Sequence, residues 1–288
     1  MEIERVGVVG AGLMGSGIAE VCAKAGLDVR VLEVSPEACE RGRAKIVGSL
    51  DRGLRNGKIS EGERDAAIGR LSFTTDFTEF ADRQLTIEAV IEDEALKTSV
   101  FRQLDKAVED PNAILASNTS SIPIMKLGIA TQRPEQVIGI HFFNPVPVLK
   151  LVELVTSLLT SPATTEQSNA FATEILHKRV IRSQDRAGFV VNALLIPYLL
   201  SAIRMMESGF ASADDIDAGM IEGCGHPMGP LHLTDLIGLD TTMAVADSLY
   251  AEFKEPLYAP PPLLSRMVEA GLLGRKTGRG FFDYQAGR

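Results

Sequence analysis

The first two thirds of the chain alternate short apolar runs with longer amphipathic segments. Four of the runs have the length and the apolar content of buried strands: Val6–Val9, Leu27–Leu32, Leu85–Val90 and Ala113–Ser117. The helices predicted from the spacing between and around them are Ser16–Ala25, Pro36–Asn56, Ser60–Arg70 and Ala95–Val108. Strands that alternate with helices predict an α/β fold, in which a doubly wound, mostly parallel sheet carries helices on both faces.

The pattern changes at about Ser183. Helical spacing continues in the apolar segment Gly188–Met206, in Thr234–Phe253 and in Leu263–Ala270, and no further strand is predicted. We therefore predict two domains, an α/β domain over residues 1–183 and an all-helical domain over residues 184–288. The apolar helices of the second domain suit packing against another copy of the chain. They suit packing within one chain equally well, and the periodicity leaves both possibilities open.

The composition narrows the class of protein. With 288 residues the chain can bury a large core, and its formal net charge of −9 argues against a general role on nucleic acid or an anionic membrane. No apolar run approaches the roughly 20 residues of a membrane span. The first strand begins too early to leave room for a signal peptide, and the three cysteines form neither a metal-ligand spacing nor a disulfide framework. We expect a cytoplasmic protein without a metal site.

A glycine-rich turn joins the first strand to the first helix. Gly10, Gly12 and Gly15 have the spacing of a dinucleotide-binding loop, and Leu13 and Met14 complete it. The first glycine permits the tight turn, the second lets the backbone approach a pyrophosphate, and the third lets helix and strand pack closely. The phosphates would meet the helix N-terminus, where unpaired N–H groups and the helix dipole favour an anion.

An acidic residue, Glu33, closes the second strand. At this position a carboxylate bonds the adenine ribose hydroxyls and repels a 2′-phosphate, so NAD is predicted in preference to NADP. The complete unit of strand, turn, helix, strand and acid is far more specific than the glycines alone, which could form a turn that binds no ligand.

A second motif runs from Val137 to Glu153. Its first residues predict a short buried strand, residues 144–147 a proline-rich turn, and Leu149–Val155 a returning strand. If the two strands lie side by side, Glu153 can accept a hydrogen bond from one imidazole nitrogen of His141 and leave the other directed at a substrate. That is an arrangement for general acid–base catalysis. A histidine at a strand end can also be purely structural, and the motif alone does not decide between these readings.

Three more polar residues follow predicted strands. Glu92 lies beyond one strand, and Asn118 and Ser120 lie beyond the next. Ligands of doubly wound sheets bind past the carboxyl ends of the strands, so we expect these residues near His141. The polar stretch that contains Ser120 could instead cap a helix.

With these residues in view, the chain resembles the 3-hydroxyacyl-CoA dehydrogenase family, in particular its short-chain, 3-hydroxybutyryl-CoA dehydrogenase-like members. The resemblance covers nearly the whole length. It rests on GAGLMGSGIA at 10–19, ASNTSS at 116–121, GIHFFNPVPVLKLVE at 139–153, GFVVNALLIPYL at 188–199, GHPMGPLHLTDLIGLD at 225–240 and GRKTGRGFFDY at 274–284. It implies a Rossmann-type N-terminal domain, a helical C-terminal domain that forms a homodimer, and reversible NAD-linked oxidation of the 3-hydroxyl of an acyl-CoA to a ketone.

The resemblance also implies roles for the reacting groups. His141 matches the catalytic base of the family, and Glu153 matches the carboxylate that fixes its tautomer. Ser120 and Asn192 match the polar residues that bind the reacting oxygen and shape the nicotinamide end of the site.

Further residues match positions that bind the NAD cofactor and the CoA part of the substrate. Glu92 and Lys97 match cofactor contacts, and we expect Asn118 among them. Ser49 lies where the helical arm of the family meets the CoA moiety, and the basic side chains of Arg55 and Lys58 nearby suit its phosphates. A solvated helix surface would explain these two basic residues equally well.

Two alternatives from other classes stay open. The chain could be a dehydrogenase of a free hydroxy acid, although relatives of that kind use a lysine of the helical domain as the catalytic group. It could also be a non-enzymatic NAD-binding protein of the same fold, for which loss of the His–Glu pair would be typical. Because His141 and Glu153 are both present, the acyl-CoA dehydrogenase is the favoured hypothesis.

Overall fold

The structure is a computed structural model, and it describes residues 3–285. Within these residues eight strands form one sheet: β1 Arg5–Val9, β2 Asp28–Leu32, β3 Leu71–Thr74, β4 Leu85–Glu88, β5 Ile114–Ser117, β6 Val137–Phe142, β7 Leu151–Thr156 and β8 Arg179–Gln184. Their order is β3-β2-β1-β4-β5-β6-β7-β8. The strands from β3 to β6 in this order are parallel, β7 is antiparallel to β6, and β8 is parallel to β7.

The chain divides into two compact units, and the boundary along the sequence falls between Arg186 and Ala187. The first unit contains the sheet and the helices α1 Leu13–Lys24, α2 Pro36–Arg55, α3 Glu61–Gly69, α4 Glu94–Ala107, α5 Ile124–Gly128 and α6 Pro162–Ala170. Local sequence sets the starts of α2 and α3. Ser35 caps α2 by accepting the Ala38 N–H, and Ser60 and Glu63 form a capping box on α3.

The core of the first unit lies between the sheet and its helices. Val8 and Ile87 on neighbouring parallel strands pack with Ile18 of α1 and Ile46 of α2, and all four side chains are almost completely buried. Each such side chain stabilises the fold by about 1.5–3 kcal/mol relative to an exposed one. Burial on both faces is what the uninterrupted apolar runs in the central strands predict.

The strand order reverses between β1 and β4. From β1 the chain first builds outward through β2 and β3, and it then crosses back to place β4 on the other side. Open α/β sheets bind ligands in the crevice beyond the carboxyl ends of the strands at such a point. Gly10 follows β1 and Glu88 ends β4 at this edge, so the reversal decides where the candidate site lies.

The second unit is helical, with α7 Val191–Glu207, α8 Ala213–Cys224, α9 Pro230–Ile237, α10 Leu239–Phe253 and α11 Pro262–Glu269. Its core contains Leu199, Leu200 and Ile203 of α7 together with Leu231 and Leu249. The predicted α/β fold, a Rossmann-type doubly wound and mostly parallel sheet followed by an all-helical region, is confirmed.

One predicted helix was wrong. Thr234–Phe253 is not continuous, because the backbone leaves the helical conformation at Gly238, where φ is +103°. The residue sits against its neighbours so closely that a Cβ there would lie 3.0 Å from Oδ1 of Asp240. Glycine adopts this φ without strain, whereas a residue with a side chain would not. The non-helical backbone at Gly238 thus separates α9 from α10.

Two strands were not predicted from the sequence. They are β3 and β8, the two edge strands of the sheet. The first has only four residues, and the second, RVIRSQ, is polar and has no fully buried residue. Short and charged edge strands give a weak apolar signal, although they protect a sheet from pairing with other chains.

Within residues 3–285, no helix has both the length and the hydropathy needed to cross a lipid bilayer.

Candidate active site

His141 and Glu153 face each other across two antiparallel strands. They are directly opposed in the register of β6 and β7, so their side chains lie on the same face of the sheet. The imidazole Nδ1 lies 2.7 Å from Oε2 of Glu153. Both residues are buried, with exposed fractions of 6% and 0%. Because a carboxylate can only accept, the geometry assigns the proton on Nδ1 to the hydrogen bond with Glu153.

A lysine from another part of the chain stabilises the turn between these strands. The ammonium group of Lys178, just before β8, donates hydrogen bonds to the carbonyl oxygens of Val146 and Leu149, at 2.6 Å each. Burial, with a smaller contribution from the charge of Lys24, lowers the pKa of Lys178. A turn fixed in this way supports the register that brings His141 opposite its carboxylate.

The glycine loop leaves room for a ligand at one position and none at another. A Cβ on Gly15 would lie 1.8 Å from the carbonyl oxygen of Gly10, so helix α1 and the loop pack too closely for any side chain. Gly12 is exposed and has no atom within 4 Å of the place of its Cβ. Gly12 is also the N-cap of α1, and no side chain caps this helix. With Leu13 and Met14 in the first turn, the open helix N-terminus fits a phosphate group.

Glu33 lies directly after β2 and reaches back to the glycine loop. Its Oε1 accepts the N–H of Ala11 at 2.6 Å, and its Oε2 accepts the N–H of Val34 at 3.2 Å. The residue is only partly buried. A carboxylate thus lies beside the glycine loop and accepts a hydrogen bond from one loop amide.

The loop after β5 is gathered around a single carboxylate. Glu92 Oε1 accepts the backbone N–H groups of Ser120 and Ser121 at 2.9 and 3.0 Å, and it also accepts the hydroxyl of Thr119. Burial alone would raise the pKa of Glu92. The charge of Lys97 and these hydrogen bonds outweigh burial, so the pKa is lowered.

Lys97 lies beneath this loop and is buried. Its ammonium group is 2.6 Å from Oε1 of Glu88 and 3.2 Å from Oε2 of Glu92, and it donates to the carbonyl of Val90 at 3.3 Å. Its exposed fraction is 1%. The charge of Lys97 is therefore committed to protein groups, and Glu92 is the more exposed member of the pair.

Asn118 links the ends of β5 and β6, because its Oδ1 accepts the N–H of Phe142 at 2.9 Å.

The helix-cap interpretation of the polar stretch after β5 was wrong. The N–H groups of Ile124 and Met125, which begin α5, bond instead to the carboxylate of Asp185 at 2.8 and 2.7 Å.

A cavity of about 310 Å³ lies between α1, α2 and the turn at residues 144–147. Ser49 lines it together with Lys45 and Arg52, whereas Arg55 and Lys58 are exposed and do not contribute to its wall. The structure therefore brings Ser49 to a cavity but does not bring the other two predicted CoA contacts there.

An acid forms part of the same wall. Glu20 is 4% exposed, and burial raises its pKa despite an opposing hydrogen bond with Ser49 and the charges of Lys24 and Arg52. A buried acid of this kind on an apolar helix gave no signal in the sequence pattern, because its partner lies on α2.

Asn192 is the second residue of α7 in the other unit and is partly buried. Within the described part of the chain, no group of three or more acidic, histidine or cysteine residues could hold a metal ion.

Sequence reasoning missed Glu88 and Ser117, both fully buried and bonded to each other at 2.7 Å. A charged residue at the end of an apolar parallel strand, with Lys97 nine positions later, was the available signal for the first. Nothing in the sequence marked the second.

Comparisons with known proteins agree over both units. The family model described as 3-hydroxyacyl-CoA dehydrogenase, NAD binding domain, matches residues 5–186, and the model of the C-terminal domain of the same enzyme matches residues 188–284. A 3-hydroxybutyryl-CoA dehydrogenase of Mycobacterium tuberculosis is 60% identical over 282 residues, which are 98% of this chain and 99% of that protein. A 3-hydroxybutyryl-CoA dehydrogenase of Bradyrhizobium diazoefficiens is 44% identical over 99% of this chain and 97% of its own.

Solved structures give the same result. The crystal structure of M. tuberculosis FadB2 matches with a TM-score of 0.98 and 60% identity, over 99% of this chain and 100% of that one. The crystal structure of (S)-3-hydroxybutyryl-CoA dehydrogenase PaaH1 from Ralstonia eutropha matches with a TM-score of 0.94 and 45% identity, also over 99% and 100%. The predicted family and the predicted NAD cofactor are thereby confirmed. The chain belongs to the 3-hydroxyacyl-CoA dehydrogenase family.

Proposed function

We propose that this protein catalyses the reversible, NAD-dependent oxidation of an (S)-3-hydroxyacyl-CoA to the 3-ketoacyl-CoA, with the short-chain 3-hydroxybutyryl-CoA as substrate. The observation that carries the proposal is the buried His141–Glu153 pair, 2.7 Å apart, on the sheet whose first turn is the glycine loop. The names of the relatives at 60% and 44% identity, both 3-hydroxybutyryl-CoA dehydrogenases, support the chain length of the acyl group.

In this proposal Nε2 of His141 takes the proton of the 3-hydroxyl, because Nδ1 is held by Glu153. The imidazolium that forms carries its charge next to a carboxylate, which lowers the free energy of the charged state. In the reverse direction His141 returns the proton to the oxygen. When bound, NAD supplies the carbon that accepts the hydride from C3.

Two polar residues orient the reacting oxygen in the proposal. Ser120, whose backbone N–H is held by Glu92, would donate its hydroxyl to that oxygen. For Asn192 the same role stays a prediction from the resemblance. Neither group exchanges a proton, so both contribute by positioning.

For the cofactor we propose binding by Gly10, Gly12, Leu13, Met14 and Gly15, in agreement with the open N-terminus of α1. Glu33 would bond the adenine ribose. Glu92 and Asn118 would contact the nicotinamide half, and Lys97 would act there through Glu92 rather than by direct contact, since its ammonium is buried.

For the CoA moiety we propose Ser49 and the cavity that it lines. Its basic side chains are Lys45 and Arg52, which suit a phosphate. Arg55 and Lys58, both exposed, would contribute only to the surrounding potential.

We also propose the division of roles predicted from the sequence, with NAD binding in residues 1–183 and substrate and homodimer contacts in residues 184–288. Exposed apolar side chains of the helical unit, among them Leu194 and Phe210, support a dimer surface there. A cytoplasmic location stays a prediction from the composition.

The proposal is tested by NADH oxidation, followed by nicotinamide absorbance, with acetoacetyl-CoA and with free acetoacetate. Turnover on the thioester alone is the expected result. Turnover on acetoacetate at a similar rate would favour the free-acid alternative. Binding of NADH without turnover on either, or on a longer 3-ketoacyl-CoA, would favour the non-enzymatic alternative.

A further inference from the structure

Glu88, the last residue of β4, is a fully buried carboxylate whose two oxygens are both occupied. Oε1 lies 2.6 Å from the Lys97 ammonium and accepts the N–H of Val90 at 2.7 Å. Oε2 accepts the hydroxyl of Ser117 at 2.7 Å. A charge with an exposed fraction of 0% is tolerated only with such partners.

A first chain of contacts leads from Glu88 to the loop after β5. The ammonium of Lys97 bridges Glu88 and Glu92, at 2.6 and 3.2 Å. The other oxygen of Glu92 accepts the backbone N–H groups of Ser120 and Ser121. The orientation of the Glu92 carboxylate is thus set by the ammonium group of Lys97, which Glu88 holds in place.

A second, independent chain leads to the same loop. The Ser117 hydroxyl, which donates to Glu88, accepts the N–H of Thr119 at 3.1 Å. Ser117 and Thr119 are both almost fully buried. The loop is therefore anchored to one carboxylate at Ser120 and Ser121 through the first route, by Lys97 and Glu92, and at Thr119 through the second, by Ser117.

We propose that Glu88 is a positioning residue for catalysis: through Lys97–Glu92 and through Ser117 it fixes the backbone of residues 119–121 and so the place of the Ser120 hydroxyl. The inference rests on the proposed function, in which that hydroxyl contacts the reacting oxygen.

The physical reason is the balance of charge at Lys97. With Glu88 neutralised, the buried ammonium would have Glu92 as its remaining carboxylate among its described ion-pair partners, and it would draw Glu92 off the loop amides. Networks of this kind are strengthened by the low dielectric of the interior, and a displacement of about 1 Å at a reacting group can cost about 10²-fold in rate.

The test compares Glu88→Gln with Asp28→Asn. Asp28 lies 2.9 Å from another buried cation, Arg83, which also pairs with Asp82. It is the first residue of β2 and so lies at the amino ends of the parallel strands, whereas Glu88 lies at the carboxyl end of β4. We expect Glu88→Gln to lower kcat on acetoacetyl-CoA by about 10-fold or more. Asp28→Asn should leave kcat unchanged. Equal kcat values for wild type and Glu88→Gln would overturn the proposal.

A double variant separates positioning from general structural damage. In a Ser120→Ala background, Glu88→Gln should lower kcat no further, because the group through which it acts has gone. If the two losses multiply, Glu88 does not act through Ser120 and the proposal is wrong.

If Glu88→Gln does not fold, Ser117→Ala tests the second chain alone. It should lower kcat by about threefold or more in the wild-type background and not at all with Ser120→Ala. A loss that persists in that background, or no loss in either, overturns the proposal. A wild-type enzyme inactive on every 3-ketoacyl-CoA would instead contradict the proposed function.

Discussion

The imidazole Nδ1 of His141 lies 2.7 Å from Oε2 of Glu153 because the two residues are directly opposed in the register of β6 and β7. The pair is therefore held by backbone hydrogen bonds of the sheet and does not depend on a mobile loop. A shift of one residue in this register would turn one side chain to the other face.

Glu153→Gln should lower kcat by about 10²-fold while NADH binding is kept. The amide retains the shape but has no charge to stabilise an imidazolium, and its NH₂ group can donate to Nδ1 and favour the other tautomer. The measurement is kcat on acetoacetyl-CoA together with the Kd for NADH. Glu166→Gln, which neutralises an exposed glutamate paired with Arg182, is the matched control and should leave both unchanged. Normal turnover by Glu153→Gln would show that the carboxylate of Glu153 is not needed for catalysis.

Gly12→Ala should weaken NADH binding by about 10-fold or more without loss of stability. Beyond its chain neighbours and the adjacent helix backbone, the new methyl group meets no protein atom within 4 Å, and φ at this residue is −66°, outside the left-handed region that favours glycine. It would occupy the space that the cofactor phosphates need. Gly62→Ala, also in open space but on α3, is the control. Thermal melts and NADH titrations of both variants check the prediction, and unchanged affinity for Gly12→Ala would contradict it.

Glu33→Ala should weaken NAD binding and narrow the preference for NAD over NADP. The substitution removes both the ribose acceptor and the charge that repels a 2′-phosphate, and it also leaves the N–H of Ala11 without its carboxylate. The ratio of kcat/KM values for the two cofactors is the measurement. An unchanged ratio would mean that a residue other than Glu33 binds the adenine ribose and sets the cofactor preference.

Glu20→Gln should raise the free energy of unfolding near neutral pH. Because burial raises the pKa of Glu20 above its unfolded value, the folded state favours the protonated form. The stability that this preference gives is complete at pH values below the unfolded pKa and is lost as pH rises through the folded pKa. A glutamine does not titrate, so its advantage should be larger at about pH 7 than at about pH 4. Urea unfolding of both proteins at the two pH values tests this, and an advantage that does not depend on pH would contradict it.

The central strands and the His141–Glu153 pairing could be predicted because each depends on a local pattern. The apolar runs are buried on both faces, and the proline-rich turn between β6 and β7 fixes the return of the chain. The edge strands could not be predicted, because β8 buries too little apolar surface to leave a pattern.

The network around Glu88 could not be predicted for a different reason. Ser117 is 29 residues from Glu88, and their contact exists only because β4 and β5 pair in parallel with these two residues opposite each other. In the same way, the partner of Glu20 lies on another helix. Sequence patterns report which residues are buried, but the partners of a buried polar group follow from tertiary register.

The most direct test of the proposed chemistry is the oxidation of (S)-3-hydroxybutyryl-CoA by wild type and by His141→Ala, with NADH affinity measured beside it. His177→Asn is the control, since His177 is exposed and its φ of +52° is one that asparagine tolerates. If His141 takes the hydroxyl proton, its loss lowers kcat by at least about 10²-fold with the Kd for NADH within about threefold of wild type. A His141→Ala enzyme that turns over at near the wild-type rate would show that another group is the base.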